Sequence, residues 1–554
     1  MSKFSQQEIL FSEKLSRIDL GSIKTELKKS NLKLINVYRN HNFESLIPFV
    51  DLYSSYADDG YRFNIGDYDS SLCFSSYNDA ANLELVWFDF TLIDGLKGSD
   101  LLEWFVDRID YLRVLSNKPI LILPVFKGVL TSSELVSCLD KKPGVYVVNL
   151  AEYVSSQNST LTQERLYKLA GTKICNEAQM ILARALALSW LPSFFRPELK
   201  AVLFDLDNTL HKGVLGEDGI EGVVLTRAHK ELQQYAKFLL KQGIFLGLIS
   251  KNDEYDVKKL FKIRVDYPLK IEDFSVLDVS WGSKSDAISR ASEKLRISTD
   301  SILYVDDNPG ELASVLSEVQ GINLVFAHDN PVITKIAIEY FPGIWRWKVG
   351  ADDLKRIDDL KAIDRRRDFE KKLTNKSDYF EKLKISLDFY YDDIETLERA
   401  SQLSSKTNQF NLSTKRLDEI EINARMKSSS SSVVMISLSD YLSDSGQIAL
   451  VIGEMIDFKL VITELCISCR AMGRGLESSI ILYAIKNMGL YRMGMTIYFD
   501  YKIEARNSPA IDWLKGLGAK INENNNSQFV LDSKTVDMFD VPKELKVSLN
   551  GKKL

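Results

Sequence analysis

The chain has 554 residues, of which 45% are hydrophobic and 27% are charged, with a formal net charge of −6. This length allows three or four domains of about 150 residues each. The absence of a basic excess argues against nucleic-acid binding. The polar start, MSKFSQQEIL, lacks the apolar core of a signal peptide, and no run of about 18 apolar residues predicts a membrane span. We therefore expect a cytoplasmic protein.

Five cysteines are scattered along the chain, an odd number that argues against a disulfide framework. Two of them have CxxC spacing within the apolar run VITELCISCR. Burial in a strand is the favoured interpretation there, over a redox, metal or covalent role. The five are Cys73, Cys138, Cys175, Cys466 and Cys469.

The first 195 residues alternate strand-like apolar runs with amphipathic stretches, a pattern that predicts a parallel α/β sheet. The predicted strands are 32–38, 83–90, 118–126 and 144–150, and the predicted helices are 100–115 and 176–195. A second α/β unit of about 150 residues follows. Its predicted strands are 200–207, 244–250, 301–308 and 322–328.

The segment 351–373 is dense in charges of both signs. This pattern favours a solvated helix that acts as a spacer, with a helix that makes contacts between domains as the alternative. A third unit starts near residue 380. The predicted boundaries are 1–195, 196–345, 346–380 for the charged helical linker, and 381–554.

Polar residues end three predicted strands of the second unit. Asp205 and Asp207 end the first strand, Ser250 ends the second, and Asp306 and Asp307 end the third. The carboxyl ends of parallel strands meet at one edge of a sheet, where open α/β folds bind their ligands. Lys284, in the run WGSKSDAI, belongs to the same set.

Four carboxylates at one sheet edge repel each other unless a cation lies among them. Oxygen ligands of this kind suit Mg²⁺, which also bridges to phosphate. One carboxylate can attack phosphorus, and a second, two residues later, can transfer the proton. A hydroxyl and a lysine would bind the phosphoryl oxygens. The set therefore predicts phosphoryl-transfer chemistry.

The chain contains, in this order, the motif DxDxT, a serine at the end of a strand, a lysine, and two aspartates at the end of a strand. This ordered set resembles the haloacid dehalogenase (HAD) superfamily over residues 200–330. The resemblance implies a nucleophile at Asp205, a general acid/base at Asp207 and a loop support at Thr209. It also implies a phosphate site and a magnesium site. The phosphate-binding residues would be Ser250, Lys251, Asn252 and Lys284, and the Mg²⁺ ligands would be Asp205, Asp207, Asp306 and Asp307.

The intervals between these motifs leave little room for a large cap over the site. A lidless site would take a macromolecular substrate or be covered by a neighbouring domain. The runs DLDNTLHKGVLGEDG, WGSKSDAI, VDDNPGE and KTNQFNLSTKRL further resemble the FkbH-like family of HAD subfamily IIIC. That resemblance implies three α/β domains: a parallel SGNH-like domain, a HAD Rossmann-like domain without a large cap, and a GNAT-like α+β domain.

The FkbH-like family implies an enzyme that takes a glyceryl unit from 1,3-bisphosphoglycerate, loses phosphate and delivers the acyl unit to an acyl carrier protein thiol. The alternative is a HAD phosphatase fused to a CoA-dependent N- or O-acyltransferase that acts on a sugar or another small molecule. A third hypothesis is a non-enzymatic assembly module. The expected partners are a phosphorylated small molecule and an acyl carrier protein, without nucleic acid or membrane.

The sequence departs from the family after the first motif, where His211 and Lys212 replace the usual residues. A histidine on a surface loop is the favoured interpretation of His211. The alternative is substrate recognition by His211, Lys212 and Asn308, with the lysine binding a second anionic group.

The terminal domains depart from the family as well. The turn after the first strand, RNHNFE, contains no serine, and no histidine lies between His41 and His211. A Ser–His–Asp site cannot form there in the family's manner, which predicts a non-catalytic domain that binds a partner or covers the HAD site.

In the third unit, a strand precedes an RxxGxG loop and a helix, a setting that resembles the diphosphate loop of GNAT acyltransferases. The resemblance implies that coenzyme A or carrier-protein phosphopantetheine binds at Arg470, Gly473, Arg474 and Gly475. A GNAT-shaped domain without chemistry is the alternative.

Overall fold

The computed structural model describes residues 3–23, 32–96, 98–126, 132–139, 142–348, 350–371, 376–407, 409–504, 507–550 and 552–553. Three sheets follow one another along the chain, and we name the parts around them the first unit (up to residue 195), the second unit (196–345) and the third unit (from residue 351). The chain is therefore α/β, with two parallel sheets and one mixed sheet.

The first unit contains a five-stranded parallel sheet with the order β2-β1-β3-β4-β5. Its central strands are buried on both faces, which explains their continuous apolar runs. The strands are β1 (Lys33–Arg39), β2 (Tyr61–Tyr68), β3 (Leu83–Asp89), β4 (Ile120–Val125) and β5 (Val145–Val147). Its helices are Lys3–Leu10, Arg17–Gly21, Ile47–Tyr56, Gly98–Leu115, Ser132–Leu139, Leu150–Ser156, Tyr167–Ala170, Asn176–Ala185 and Pro192–Phe195.

The predicted helix 176–195 is present and includes a π-helical turn at Leu186–Trp190. By length and composition, Asn176–Phe195 would be apolar enough to cross a membrane, with a mean hydropathy of 1.2. The protein itself buries 83% of this segment. A core helix meets the same criteria, so this is weak evidence for a membrane span.

The second unit contains a five-stranded parallel sheet with the order β10-β9-β6-β7-β8. The strands are β6 (Ala201–Phe204), β7 (Phe245–Ser250), β8 (Val276–Val279), β9 (Ile302–Asp306) and β10 (Asn323–Phe326). Its helices are Leu215–Gly222, Arg227–Lys241, Glu254–Ile263, Lys284–Leu295, Pro309–Glu318 and Pro331–Glu339. The central strand β6 lies between β7 and β9, so residues that follow these three strands share one edge.

The first two units share one hydrophobic cluster. The N-terminal helix is tied to edge strand β10, because the Gln7 side chain donates to the Phe326 carbonyl and accepts from the Phe326 amide. The hydroxyls of Tyr153 and Tyr340 lie 2.8 Å apart across the same interface. These contacts fix the first unit against the second.

The third unit contains a mixed sheet with the order β17-β18-β16-β15-β14-β13-β11-β19-β20, and β12 pairs with β15 beside this path. Its strands are β11 (Ser386–Tyr391), β12 (Phe410–Asn411), β13 (Ser431–Ser439), β14 (Asp444–Ile456), β15 (Lys459–Ile467), β16 (Ile497–Asp500), β17 (Lys520–Asn522), β18 (Asn525–Leu531), β19 (Lys546–Leu549) and β20 (Lys552–Lys553). Its helices are Ala351–Lys371, Lys376–Leu383, Leu397–Lys406, Glu419–Met426, Glu477–Lys486, Ser508–Gly516 and Ser533–Asp537.

The charged segment forms the helix Ala351–Lys371, but the prediction of a solvated spacer is wrong. Asp359 is 1% exposed and Arg366 is 5% exposed. They pair with each other at 3.0 Å, and Arg366 also pairs with Asp440 of the third unit at 2.8 Å. Burial of paired charges makes this helix part of the third unit's packing.

Candidate active site

A buried lysine joins two carboxylates at the carboxyl edge of the second sheet. Lys284 Nζ lies 3.1 Å from Asp205 Oδ1, which follows β6, and 2.5 Å from Asp306 Oδ2, which ends β9. Lys284 begins a helix that the Ser283 hydroxyl caps, so the backbone fixes the origin of its side chain. The Tyr304 hydroxyl also donates to Asp306 Oδ2. The predicted convergence of Asp205, Lys284 and Asp306 is present.

Asp307 completes a group of three carboxylates with Asp205 and Asp306, whose ligand oxygens all lie within 4.8 Å of one another. Burial, and then repulsion from Asp306, raises the pKa of Asp205 to about 7 against the opposing effect of Lys284. Burial and the same neighbour raise the pKa of Asp307. One lysine therefore does not neutralise the group.

This donor set fits Mg²⁺. Hard carboxylate oxygens at one convergent point are its preferred protein ligands, and a divalent cation would offset both the burial and the mutual repulsion that disfavour the ionised carboxylates. Asp205, Asp306 and Asp307 would hold the ion. The further ligand predicted from Asp207 stays a prediction.

Asp207 belongs to a second hydrogen-bonded group beside the first. Asn252 Nδ2 donates to Asp207 Oδ2 at 2.8 Å and to Ser250 Oγ at 2.9 Å, and the Leu215 amide donates to Asp207 Oδ1 at 2.9 Å. Burial opposes ionisation of Asp207, but hydrogen bonds from His211, Leu215 and Asn252 outweigh it and lower its pKa. The carboxylate is thus oriented toward the Ser250 side of the site.

His211 is fully buried, so the interpretation as a surface-loop histidine is wrong. Its Nε2 lies 3.2 Å from Asp207 Oδ1, and its Nδ1 lies 3.1 Å from the Tyr267 hydroxyl. The imidazole therefore orients Asp207 and is itself oriented by Tyr267, in the way that outer groups fix catalytic side chains. The sequence carries no signal for Tyr267, which lies 56 residues from His211.

Three other predicted residues have different surroundings. Lys251 Nζ pairs with Glu311 at 2.5 Å, and the Asn308 side chain caps the helix Pro309–Glu318 by accepting from the Gly310 amide at 2.8 Å. The Lys212 side chain is exposed, while its backbone bridges to Val224. Their roles in phosphate or substrate binding stay predictions.

The loop after the first motif turns sharply. Asn208 has a φ of 51°, and its Oδ1 accepts from the Gly213 amide at 2.9 Å. Gly213 has a φ of 105°, and a Cβ there would lie 2.7 Å from an Asp218 carboxylate oxygen, so this turn requires glycine. Thr209 is buried in the same loop. The turn lets the chain return so that the Leu215 amide reaches Asp207.

Little chain is available for a lid near this edge. Between β6 and β7 the structure has two helices, Leu215–Gly222 and Arg227–Lys241, and between β7 and β9 it has Glu254–Ile263, β8 and Lys284–Leu295. These are the crossovers that parallel strands require. The expectation of a site without a large cap agrees with this arrangement.

The predicted diphosphate loop of the third unit faces the charged helix. Arg474 is bonded to Asp359 at 3.1 Å and to Asp440 at 3.1 Å. The Arg470 guanidinium donates to the Asp352 carbonyl at 3.1 Å, and the Gly473 amide donates to the Glu477 carboxylate at 3.2 Å. Carboxylates of the chain thus occupy donors that a diphosphate would need. Binding of coenzyme A or phosphopantetheine at this loop stays a prediction.

The strands next to this loop diverge. β15 and β16 run parallel and pair only between residues 460–462 and 497–499. Farther along, β12 pairs with the end of β15, and the Lys502 amide donates to the Leu412 carbonyl at 2.9 Å. A segment of the motif KTNQFNLS therefore fills the gap between the two strands.

No protein-family model matches the chain, and no curated protein matches it. One similar solved structure is the N-terminal part of the protein BF1531 from Bacteroides fragilis, which contains a phosphatase domain complexed with Mg. The two chains are 19% identical, with a TM-score of 0.44, and the similarity covers 62% of this chain and 100% of that chain.

Another is the HAD-family enzyme BT-2542 from Bacteroides thetaiotaomicron in complex with magnesium and inorganic phosphate, with 15% identity, a TM-score of 0.19, and coverage of 23% of this chain and 93% of that chain. At such identities and scores these similarities decide nothing about chemistry.

Proposed function

We propose that the second unit is a Mg²⁺-dependent phosphoryl-transfer centre of the HAD type that removes phosphate from a small phosphorylated molecule. One observation supports this most directly. Asp205, Asp306 and Asp307 place ligand oxygens within 4.8 Å of one another, and Lys284 bridges Asp205 and Asp306. Two buried carboxylates and a half-buried third, beside one ammonium, suit a divalent cation and a phosphoryl group together.

In this proposal Asp205 attacks phosphorus. A bond forms between its carboxylate oxygen and phosphorus, and the bond from phosphorus to the leaving oxygen breaks. Lys284 and Ser250 bind the phosphoryl oxygens, while Mg²⁺, when bound, offsets the negative charge of the phosphoryl group. Asp207 donates a proton to the leaving oxygen. Water or an acceptor then attacks phosphorus, Asp207 takes its proton, and the bond from phosphorus to Asp205 breaks, which releases the phosphoryl group. His211 and Asn252 hold Asp207 in position for both steps.

Substitution of the nucleophile tests the proposal. Phosphate release from a panel of phosphorylated small molecules, with Mg²⁺ present, should fall at least about 1,000-fold in Asp205→Asn. Asp286→Asn removes an exposed carboxylate near Lys284 and should retain the activity. Equal rates of phosphate release in the wild type and in Asp205→Asn would show that Asp205 is not the nucleophile.

We further propose that the donor is a phosphoglyceryl compound such as 1,3-bisphosphoglycerate. The thiol of a carrier protein, or another acceptor, attacks its acyl carbon and displaces the phosphate bound there, and the HAD-type centre removes the phosphate at the other end. The support is the resemblance of the motifs to the FkbH-like family together with the order of three α/β units. The loop contacts of Arg470 and Arg474 mean that a pantetheine arm would have to displace the helix Ala351–Lys371 or bind elsewhere.

The mass of a carrier protein provides the test. Incubation with 1,3-bisphosphoglycerate and Mg²⁺ should add a glyceryl unit to the carrier. With Asp205→Asn the added unit should retain its phosphate, so the gain in carrier mass should be that of a phosphoglyceryl unit. Release of phosphate without any gain in carrier mass would favour a plain phosphatase. Transfer of an acetyl group from acetyl-CoA to a sugar or amine would favour the fused acyltransferase instead.

A further inference from the structure

A cavity of about 60 Å³ lies between the second and third units. Six of the described residues that line it are cationic, and none of the described lining residues carries a carboxylate. The six are Lys200, Arg296, Arg356, Arg399, Lys406 and Arg470. A cavity needs only about 10–15 Å³ on this measure to hold one water molecule, so this one has room for a small oxyanion.

Two carboxylates pair with cations of this cluster. Asp352 pairs with Arg399 at 3.1 Å and with Lys355, and Glu198 pairs with Lys406 at 2.9 Å and with Arg346. Each of these two carboxylates is thus shared with a cation outside the cavity. Among the residues that the structure describes, Lys200, Arg296 and Arg470 form no ion pair with a carboxylate, so the cavity keeps positive charge in a partly buried space.

Other members of the cluster donate to neutral carbonyl groups. Lys200 Nζ donates to the Lys406 carbonyl at 3.2 Å, and Arg296 donates to the Met472 carbonyl at 3.2 Å. Carbonyl contacts orient a cation without neutralising it. Burial, with Arg356 and Lys406 close by, lowers the pKa of Lys200 to about 8. A buried cluster of like charge at this density would be stabilised by an anion.

We propose that this cavity binds a phosphate-sized oxyanion, either free phosphate or the phosphoryl group of a metabolite, and that the anion joins the second unit to the third. Arginine guanidinium groups suit this ligand because they donate to two phosphate oxygens at once. Lys200 precedes β6 and Asp205 follows it, so the cavity lies at the opposite end of this strand from the candidate active site, roughly 16 Å away. The two sites are therefore distinct.

Thermal unfolding of the full chain with inorganic phosphate tests the proposal. A chelator is present so that a metal cannot hold phosphate at the aspartates, and chloride at equal ionic strength is the reference. Phosphate should raise the unfolding temperature of the wild type. The half-saturating phosphate concentration should rise at least about tenfold in Lys200→Gln and in Arg296→Gln, because each variant loses one charge-assisted contact to the anion. Lys258→Gln, an exposed lysine of the second unit, should behave like the wild type.

Cys469 lines the same cavity and reports the location of the anion. Phosphate should slow its labelling by a thiol reagent, as read by peptide mass mapping, while the exposed Cys73 and Cys138 keep their rates. If Cys469 does not react with the reagent, the unfolding temperatures of the wild type and the variants alone test the proposal. Two results would overturn the proposal. One is that phosphate raises the unfolding temperature no more than chloride does, and the other is that its effect in Lys200→Gln and Arg296→Gln equals its effect in the wild type.

Two sources of the anion are distinguished by the same titration. Half-saturation at a lower concentration of inorganic phosphate than of a phosphomonoester assigns the cavity to free phosphate. The reverse order assigns it to the phosphoryl group of a metabolite. Both results support an oxyanion site.

Discussion

His211 Nε2 lies 3.2 Å from Asp207 Oδ1 in a fully buried position. The other ring nitrogen contacts Tyr267, so the imidazole has one orientation available to it. Asp207 is thereby held by a side chain that cannot reach solvent. We infer that His211 is a positioning residue for the proposed acid/base, and that it acts through Asp207 and not on the substrate.

Loss of His211 should lower the turnover of the phosphorylated substrate. We expect His211→Leu to reduce kcat about 10- to 100-fold, the range typical of groups that orient catalytic side chains. His211→Gln keeps a donor toward Asp207 and should recover part of the activity. Tyr267→Phe should give a smaller loss. Steady-state kinetics check this order, and a change confined to KM in all three variants would contradict it.

Mg²⁺ should stabilise the second unit through the three carboxylates. A ligand at 100 times its Kd stabilises the folded state by about 2.7 kcal/mol, which corresponds to an increase of roughly 5–10 °C in Tm for a unit of this size. Scanning calorimetry with Mg²⁺ and with a chelator measures the shift. Asp307→Asn should abolish most of it, and Asp286→Asn should not. A shift of the same size in Asp307→Asn would exclude Asp307 as a ligand.

Asp359 should anchor the helix Ala351–Lys371 to the third unit. Its carboxylate is bonded to Arg366 and Arg474, and its pKa is lowered, with these arginines outweighing the effect of burial. Asp359→Ala leaves two buried guanidinium groups without this partner and should cost about 3 kcal/mol of local stability. Hydrogen exchange in this helix should then be about 100-fold faster.

The neighbouring Asp358 provides the control for this experiment. It is exposed on the same helix, so Asp358→Ala removes the same charge without breaking a buried pair. Its exchange rates should match those of the wild type. Equal protection of the helix in Asp359→Ala would mean that apolar packing holds it in place.

His41 should make the first unit sensitive to mild acid. Burial, and then the charge of Arg39, lowers the pKa of His41 from 6.5 to about 3. The unfolded chain therefore binds a proton that the folded chain does not bind, and stability falls as the pH falls below 6.5. The loss should be about 1.4 kcal/mol per pH unit toward pH 4.

The opening free energy of β3, measured by hydrogen exchange, gives this dependence, because His41 stacks on Trp87 of that strand. His41→Gln should lower the stability at pH 7 and flatten the slope. His328→Gln, in the second unit, serves as the control and should leave the slope unchanged. An identical slope in His41→Gln would assign the acid sensitivity to another group.

The sequence was sufficient to place the strand ends that carry Asp205, Ser250 and Asp306, because continuous apolar runs mark buried parallel strands. It did not reveal β2 or β8. Both are edge strands. β2 carries Arg62 and Asn64 and is half exposed, and Asp278 interrupts the apolar residues of β8, so neither has the apolar run of a central strand.

Long-range polar contacts were also beyond prediction. A charged helix and a glycine-rich loop each have a local pattern, but the pairing of Asp359 with Arg474 joins residues 115 positions apart. His211 resembled a loop residue because its burial depends on Tyr267 and on the fold around it. Patterns along the chain report periodicity, whereas burial of a polar side chain depends on partners that only the tertiary structure supplies.

The pairing of Asp359 with Arg474 determines where the C-terminal part of the chain can be separated from the rest. A fragment that starts at the predicted boundary near 381 would lack Asp352, Asp359 and Arg366. Arg474 would then lose one of its two carboxylates, and Asp440 would lose the Arg366 guanidinium. A fragment that starts just before residue 351 retains all of these pairs, and it is the shortest C-terminal fragment that we expect to fold.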